Sequence, residues 1–265
     1  MSTPLTIQQV IDMALAATPY DPAHATVDTV KTGDPHQPVT GIITTFLASY
    51  AVIEQAIATG ANFIIVHEPT FYNHLDETAW IEHDPIYQAK RKLIDDHGLV
   101  IWRFHDYWHQ HQPDGIMIGV LRALGWSSYA DADSPYFCTL PPTTLEDLVA
   151  HLKSSFGIPS VRLLGQPGMI CRRVVLAVGA PGARMHIDAL GRMDVDVAIC
   201  GEINEWDTNE YVSDAMHLGK NKALIVTGHA ASEEAGMEYL AEWLRARIPG
   251  VPIAHIPNRS ALGFA

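Results

Sequence analysis

The sequence predicts an α/β protein with a largely parallel sheet. Two observations predict it. Short apolar runs of β-formers alternate with amphipathic helical segments, which is the pattern of βαβ units. Four of those runs end on chelating or titratable groups, as strands do when their carboxyl ends line a ligand-binding crevice. A third observation sets the scale: 265 residues, 48% hydrophobic and 18% charged, supply a sizeable core for one large domain or two small ones.

The elements follow in order. "TIQQVIDMALAAT" is an amphipathic helix with Ile7, Val10, Ile11 and Leu15 on one face, and Thr6 with Gln9 has capping-box spacing. "VTGIITTF" is a strand. "ASYAVIEQAIATGA" is a helix that gathers Val52, Ile53, Ala56 and Ile57 and stops at Gly60. "NFIIVHEP" is a strand, and "DPIYQAKRKLIDDHG" a helix with Gly98 as its stop signal. "LVIWRFHDYWH" reads as a strand running into a loop, and "GIMIGVLRALGW" as a helix.

The turn-rich "SSYADADSPYFCTLPP" breaks the alternation and places a boundary near residue 128. "TTLEDLVAHLKSSFG" is then a helix with Thr144 and Asp147 as a cap pair. "RRVVLAVGAPG" is a strand entering a turn, and "GAPGAR" reads first as that tight turn, with an anion cradle as the alternative. A short helix "HIDALGRM", strand "DVAICGE", helix "NEYVSDAMHLG", strand "KALIVTGH" and amphipathic helix "EEAGMEYLAEWLRARI" follow, and "VPIAHIPN" is a last short strand.

Composition excludes several classes. No apolar run reaches the roughly 18–20 residues that span a bilayer, so a membrane is not expected as a partner. "MSTPLTIQQVIDM" lacks the basic and then apolar regions of a signal peptide. Cys138, Cys171 and Cys200 form no CxxC pair, which fits a reducing, cytoplasmic setting. A net charge of −13 argues against binding the phosphate backbone of nucleic acid.

The strand ends carry the chemistry. "NFIIV" ends at His67-Glu68, "LVIWRF" at His105-Asp106, "DVAIC" runs through Gly201 to Glu202, and "ALIVT" through Gly228 to His229. Imidazole and carboxylate are ligands for Zn, Mn, Fe or Ni. His229 and Glu233 lie four apart at a helix start, hence on one face. His105 and His109 are also four apart, but in a stretch read as strand end plus loop. Singly, each residue has an ordinary reading: His67 as a loop histidine, Glu68 as a solvent-facing acid, His229 with Glu233 as a surface pair. Trp102 and Trp108 read as packing. Jointly, independent strands ending on the same chemistry favour a metal site.

"VTGIITTFLASYAVIEQAIATGANFIIVHEPTFY", "RFHDYWHQHQPDGIMIGVLRALGW" and the block from Gly201 to Arg245 resemble the YbgI-like family, also called the NGG-interacting-factor-three-like family, in its short form. The resemblance covers nearly the whole chain. It implies two α/β subdomains, residues 1–128 with 226–265 and residues 129–225, with a metal cleft between them. It implies two divalent metal ions and a homo-hexameric ring. The family's ligand positions fall on His67, Glu68, His109, His229 and Glu233. Two of them depart from its pattern: Glu68 stands where the family has histidine, and His109 where it has a carboxylate. The exchange is reciprocal, so the set keeps three imidazoles and two carboxylates. On this reading Glu68 and His109 complete one coordination sphere together, and Glu233 bridges the ions.

Two divalent ions activate water and clamp attacking and leaving oxygens. His105, Glu202 and Glu205 are the candidate proton-handling residues, with helix capping as the ordinary reading for the two glutamates. The expected function is a metal-dependent hydrolase of a small molecule, of the cyclohydrolase or amidohydrolase ring-opening kind. The alternative is a non-enzymatic metal-binding ring for metal handling or protein interaction.

Overall fold

A computed structural model describes residues 4–21 and 23–258 of the chain. Contacts divide it into two units, each built on its own five-stranded sheet. The first holds the described residues up to Ile116 and those from Gly236 onward, and the second holds Met117–Ala235. The expected boundaries near 128 and 225 lie at breaks in the alternation of elements. The units instead divide inside two helices, Gly115–Ala123 and His229–Arg245, which periodicity alone reads as unbroken.

In the first unit the chain runs through α1 (Ile7–Leu15), β1 (Val30–Thr32), β2 (Ile42–Thr45), α2 (Tyr50–Thr59), β3 (Phe63–Val66), α3 (Pro85–Asp96), β4 (Val100–Arg103) and α4 (Asp106–Gln110). α5 (Gly115–Ala123) leads into the second unit. There the order is β5 (Phe137–Thr144), α6 (Leu145–Phe156), β6 (Arg162–Leu164), β7 (Ile170–Ala177), α7 (Ala183–Leu190), β8 (Val197–Cys200), α8 (Glu210–His217) and β9 (Ala223–Val226). α9 (His229–Arg245) returns to the first unit, which β10 (Ile253–His255) completes.

The first sheet has the order β1-β4-β3-β2-β10; β10, β2, β3 and β4 are parallel, and only the β1 edge is antiparallel. The second has the order β5-β7-β8-β9-β6, with β7, β8 and β9 parallel between two antiparallel edges. Every residue of β2, β3, β4, β8 and β9 is buried. That is why these strands read as unbroken apolar runs rather than as alternations: a parallel strand is covered on both faces. The side chains nevertheless alternate. Ile43, Ile64 and Ile101 are in register on one face and pack with Val52 and Ile53 of α2 and Ile94 of α3. In the second unit, Val175, Ala198 and Leu224 pack with Leu190 of α7 and Val212 of α8. Each such aliphatic side chain contributes about 1.5–3 kcal/mol on full burial.

The helix starts follow from local chemistry. Thr6 and Gln9 form the full capping box. Ser49 caps α2, Asp84 caps α3 ahead of Pro85, and Thr144 caps α6. Gly60 and Gly157 end α2 and α6 in the left-handed region, where a side chain costs energy. Trp102 and Trp108 are fully packed, the latter against Tyr239 and Trp243 of α9. No helix among the described residues is long and apolar enough to cross a membrane.

Candidate metal-binding clusters

Parallel pairing brings β3 and β4 to the same end of the first sheet, so His67 and His105 emerge side by side. The chain then departs from the expected loop. Residues Asp106–Gln110 are helical, and the His109 amide donates to the His105 carbonyl at 3.0 Å. The four-residue spacing therefore has its helical meaning, and His105 and His109 lie on one face. Ring centroids are 4.5 Å apart for His67 and His105, 5.0 Å for His67 and His109, and 5.1 Å for His105 and His109. One nitrogen from each lies within 4.8 Å of the others.

What makes so short a helix form here is Asp28, which no local pattern flags. Its buried carboxylate accepts from the amides of His105 at 2.7 Å, Asp106 at 2.9 Å and Tyr107 at 2.8 Å, so a residue far away in sequence caps α4. Burial raises the Asp28 carboxyl above its usual range, and the three amides oppose that shift.

The ring orientations are fixed by carboxylates. His105 Nδ1 lies 2.8 Å from Asp106 Oδ1, and His109 Nδ1 lies 3.0 Å from Asp114 Oδ2. An ionised carboxylate only accepts, so each Nδ1 carries a proton, and in the neutral form of the ring Nε2 then keeps a lone pair. Asp106 is itself held by Thr26 and by the Val27 amide. Burial, with His109 next in effect, pushes the His105 imidazole down to about 4, so it is neutral at pH 7. Neutral imidazole with Nδ1 tied to a carboxylate is the state in which histidine binds metal.

Glu68, whose carboxylate also lies within 4.8 Å of a His67 nitrogen, is held by Arg103. Its Oε2 accepts from Arg103 Nη2 at 3.0 Å, while Oε1 lies 3.6 Å from His105 Nε2. Arg103 is fully buried at the end of β4 and also donates to the carbonyls of His67 at 2.9 Å and His74 at 2.6 Å. The sequence did carry a signal for this: one arginine inside an apolar strand needs a buried partner.

The second unit presents donors of its own. His229 opens α9, with Nε2 3.1 Å from Glu233 Oε2 and Nδ1 3.1 Å from Glu202 Oε1. The spacing-based pairing of His229 and Glu233 is thus seen directly, and Glu202 at the end of β8 orients the ring. Space for Glu233 is made by Gly179, which sits at φ 69°, where a Cβ would collide with the Glu233 carboxylate. The Gly179 amide donates to Ser232 Oγ at 2.9 Å, locking the turn after β7 to α9. "GAPGAR" is therefore a bend at Gly179 that leads into α7, with Gly179 serving the cluster. Glu205 is not brought to His229. It lies on an exposed π-helical turn, Glu205–Asn209, and pairs with Arg162 at 3.3 Å.

The donor chemistry fits a divalent metal in both clusters: imidazoles with their second nitrogens tied to carboxylates, and a carboxylate at helical spacing. An α/β chain with such donors beyond the ends of its parallel strands falls in the class of candidate metalloproteins. The chain belongs to the Duf34/NIF3 (NGG1p interacting factor 3) family, whose sequence model matches residues 6–260. Curated relatives include a Chlamydia pneumoniae protein named "GTP cyclohydrolase 1 type 2 homolog", 28% identical over 236 residues, covering 83% of this chain and 85% of the relative. An Escherichia coli protein of the same name is 25% identical over 219 residues, covering 82% of this chain and 84% of the relative. Among solved structures, a Bacillus cereus protein related to NIF3 matches with a TM-score of 0.78 at 16% identity over all of both chains. A Staphylococcus aureus hypothetical protein matches with a TM-score of 0.76 at 18% identity, over 99% of this chain and 100% of the other. These two likenesses concern the fold.

Proposed function

We propose that the chain is a metal-dependent hydrolase of a small molecule, working through a dinuclear metal centre. The observation that supports this most is the repeated carboxylate-to-Nδ1 arrangement at His105, His109 and His229, which is how metal-binding imidazoles are oriented. His67, His105, His109 and Glu68 are the donors offered by the first unit, and His229 and Glu233 those offered by the second. Divalent ions bound there would supply hydroxide at neutral pH and neutralise charge on the leaving oxygen. The protein's own part is to keep the imidazoles neutral, to hold them in fixed orientation and to offer carboxylates as proton acceptors. Glu202, on His229 Nδ1, is a positioning residue. Glu205 keeps no role here, since its carboxylate serves Arg162. The relatives' shared name suggests a substrate with a ring to open, and a cyclic amide or amidine suits this chemistry. A homo-hexameric ring in the cytoplasm completes the proposal.

The experiment is metal analysis of the purified protein combined with turnover of a panel of cyclic amides, amidines and phosphoesters. Bound divalent metal and metal-dependent hydrolysis are expected. Metal that exchanges readily with no turnover of any substrate would favour a non-enzymatic metal-handling ring. His229→Ala and Glu233→Ala should each lower metal content while leaving the circular dichroism spectrum unchanged. Full metal content in both variants would remove the second cluster from the site.

A further inference from the structure

We infer that one ion is held within the first unit by three imidazoles, those of His67, His105 and His109, and that Glu68 stands beside this ion as Arg103's partner rather than as a ligand. This rests on the proposal that the chain binds metal, and it exchanges two roles. By sequence, His105 is the proton-handling residue, and Glu68 shares a sphere with His109. The geometry points the other way. His105 is as close to His67 as any ring in the cluster, with centroids 4.5 Å apart, and the three rings offer nitrogens within 4.8 Å of one another. The helical turn of α4 fixes His105 and His109 relative to each other, and Asp106 and Asp114 fix their ring planes.

Glu68 answers a different demand. Arg103 is fully buried, and a buried guanidinium needs a counter-charge. Glu68 is the carboxylate placed against it, at 3.0 Å. Two of the remaining Arg103 donors are taken by the carbonyls of His67 and His74. Moving Glu68 into a coordination sphere would draw its charge away from Arg103. Three imidazoles, which bind metal in their neutral form, make a nitrogen-rich donor set, which suits a zinc-like first-row ion and not magnesium or calcium. Glu68 Oε1 lies 3.6 Å from His105 Nε2, at the edge of the site, while Oε2 stays with Arg103.

The test uses the full chain carrying Glu233→Ala and His229→Ala, so that only donors of the first unit are varied. Zinc affinity is measured by chelator competition, and the cobalt-loaded form is followed by visible absorption. X-ray absorption of the zinc form should show three imidazoles. Adding Glu68→Gln should leave zinc affinity within a few-fold and the cobalt bands unchanged. Adding His105→Ala should weaken zinc by more than roughly tenfold, beyond the loss expected of a residue that only orients a ligand. The circular dichroism spectrum of each variant checks that it folds, and His105→Gln, similar in reach, replaces His105→Ala if the latter does not. Loss of zinc with Glu68→Gln and retention with His105→Ala would overturn the assignment while keeping metal binding. Failure of the unsubstituted chain to bind zinc or cobalt at all would overturn both.

Discussion

Lys90 shows how a single buried charge shapes this fold. It sits on α3, buried, with Nζ donating to the Thr70 carbonyl at 2.5 Å and lying 5.2 Å from the Tyr72 ring. It therefore pins the segment that follows His67 and Glu68. Burial pushes its ammonium group down to about 8, against partial support from Asp76. The sign follows from linkage. Between about 8 and 10.5 the unfolded chain holds a proton that the folded chain has released, so this residue's contribution to stability rises with pH across that window. Below it the charged group is carried in both states and the burial cost is fully present. The buried thiols of Cys138 and Cys171, raised to about 11, and of Cys200, raised to about 12, act in the opposite sense at higher pH. The comparison that isolates Lys90 is urea unfolding of wild type and Lys90→Met. At pH 7 the variant should be less penalised by charge burial. Its advantage should shrink by up to about 3 kcal/mol on going to pH 10. A difference that does not vary with pH would show that Lys90 acts through packing alone.

Elements carry the next level, and α4 is the instructive one. A five-residue helix is too short to persist by propensity. It forms because Asp28 receives the amides of its N-cap residue, His105, and of its first two residues, Asp106 and Tyr107. Reading "HDYWHQH" as a loop missed this because the cap lies far away along the chain; His105 itself makes no side-chain cap bond. Asp28→Ala leaves those amides unsatisfied in a buried place, costing about 1–3 kcal/mol, and frees His105 and His109 together. Asp28→Asn keeps the oxygen that serves His105 and Asp106 but turns an N–H₂ toward Tyr107, so it should fall between wild type and Asp28→Ala in both urea midpoint and zinc affinity. Equal zinc affinity across all three proteins would mean that α4 is held by its packing instead. The same distinction between local and remote causes explains the strands. Central strands were legible as apolar runs. β1, β5 and β6 were not, because edge strands are partly exposed and lack such runs. β5 even carries Pro141 and Pro142, tolerated at an edge where the register shifts.

At the scale of the whole molecule, the α/β architecture was legible because parallel strands and amphipathic helices write their periods into the sequence, while its division into two sheets was implied by the family resemblance. The partners of the site were not: Asp28, Arg103 and Asp114 act through contacts that no spacing encodes. Assembly belongs to this scale as well. Leu75 and Trp80, between β3 and α3, and Ile86, in the first turn of α3, are all in the first unit and all more than half exposed. Exposed aromatic and aliphatic side chains of this size, where they join into a patch, mark surfaces that associate, and we propose that Trp80 lies on the contact face of the ring. The net charge of −13 works against association of identical copies, through a repulsion that salt screens over roughly 8 Å at physiological ionic strength. The proposed hexamer should therefore be firmer in moderate salt than in dilute buffer, which is the reverse of what an assembly held by ion pairs would show. Light scattering should return six times the chain mass at physiological salt and a lower average mass at low ionic strength and low protein concentration. Trp80→Glu adds a like charge to the proposed contact face and should lower the mass further, with an unchanged circular dichroism spectrum. A monomer at every salt concentration would refute the ring, and full-sized particles from Trp80→Glu would place the contact on another face.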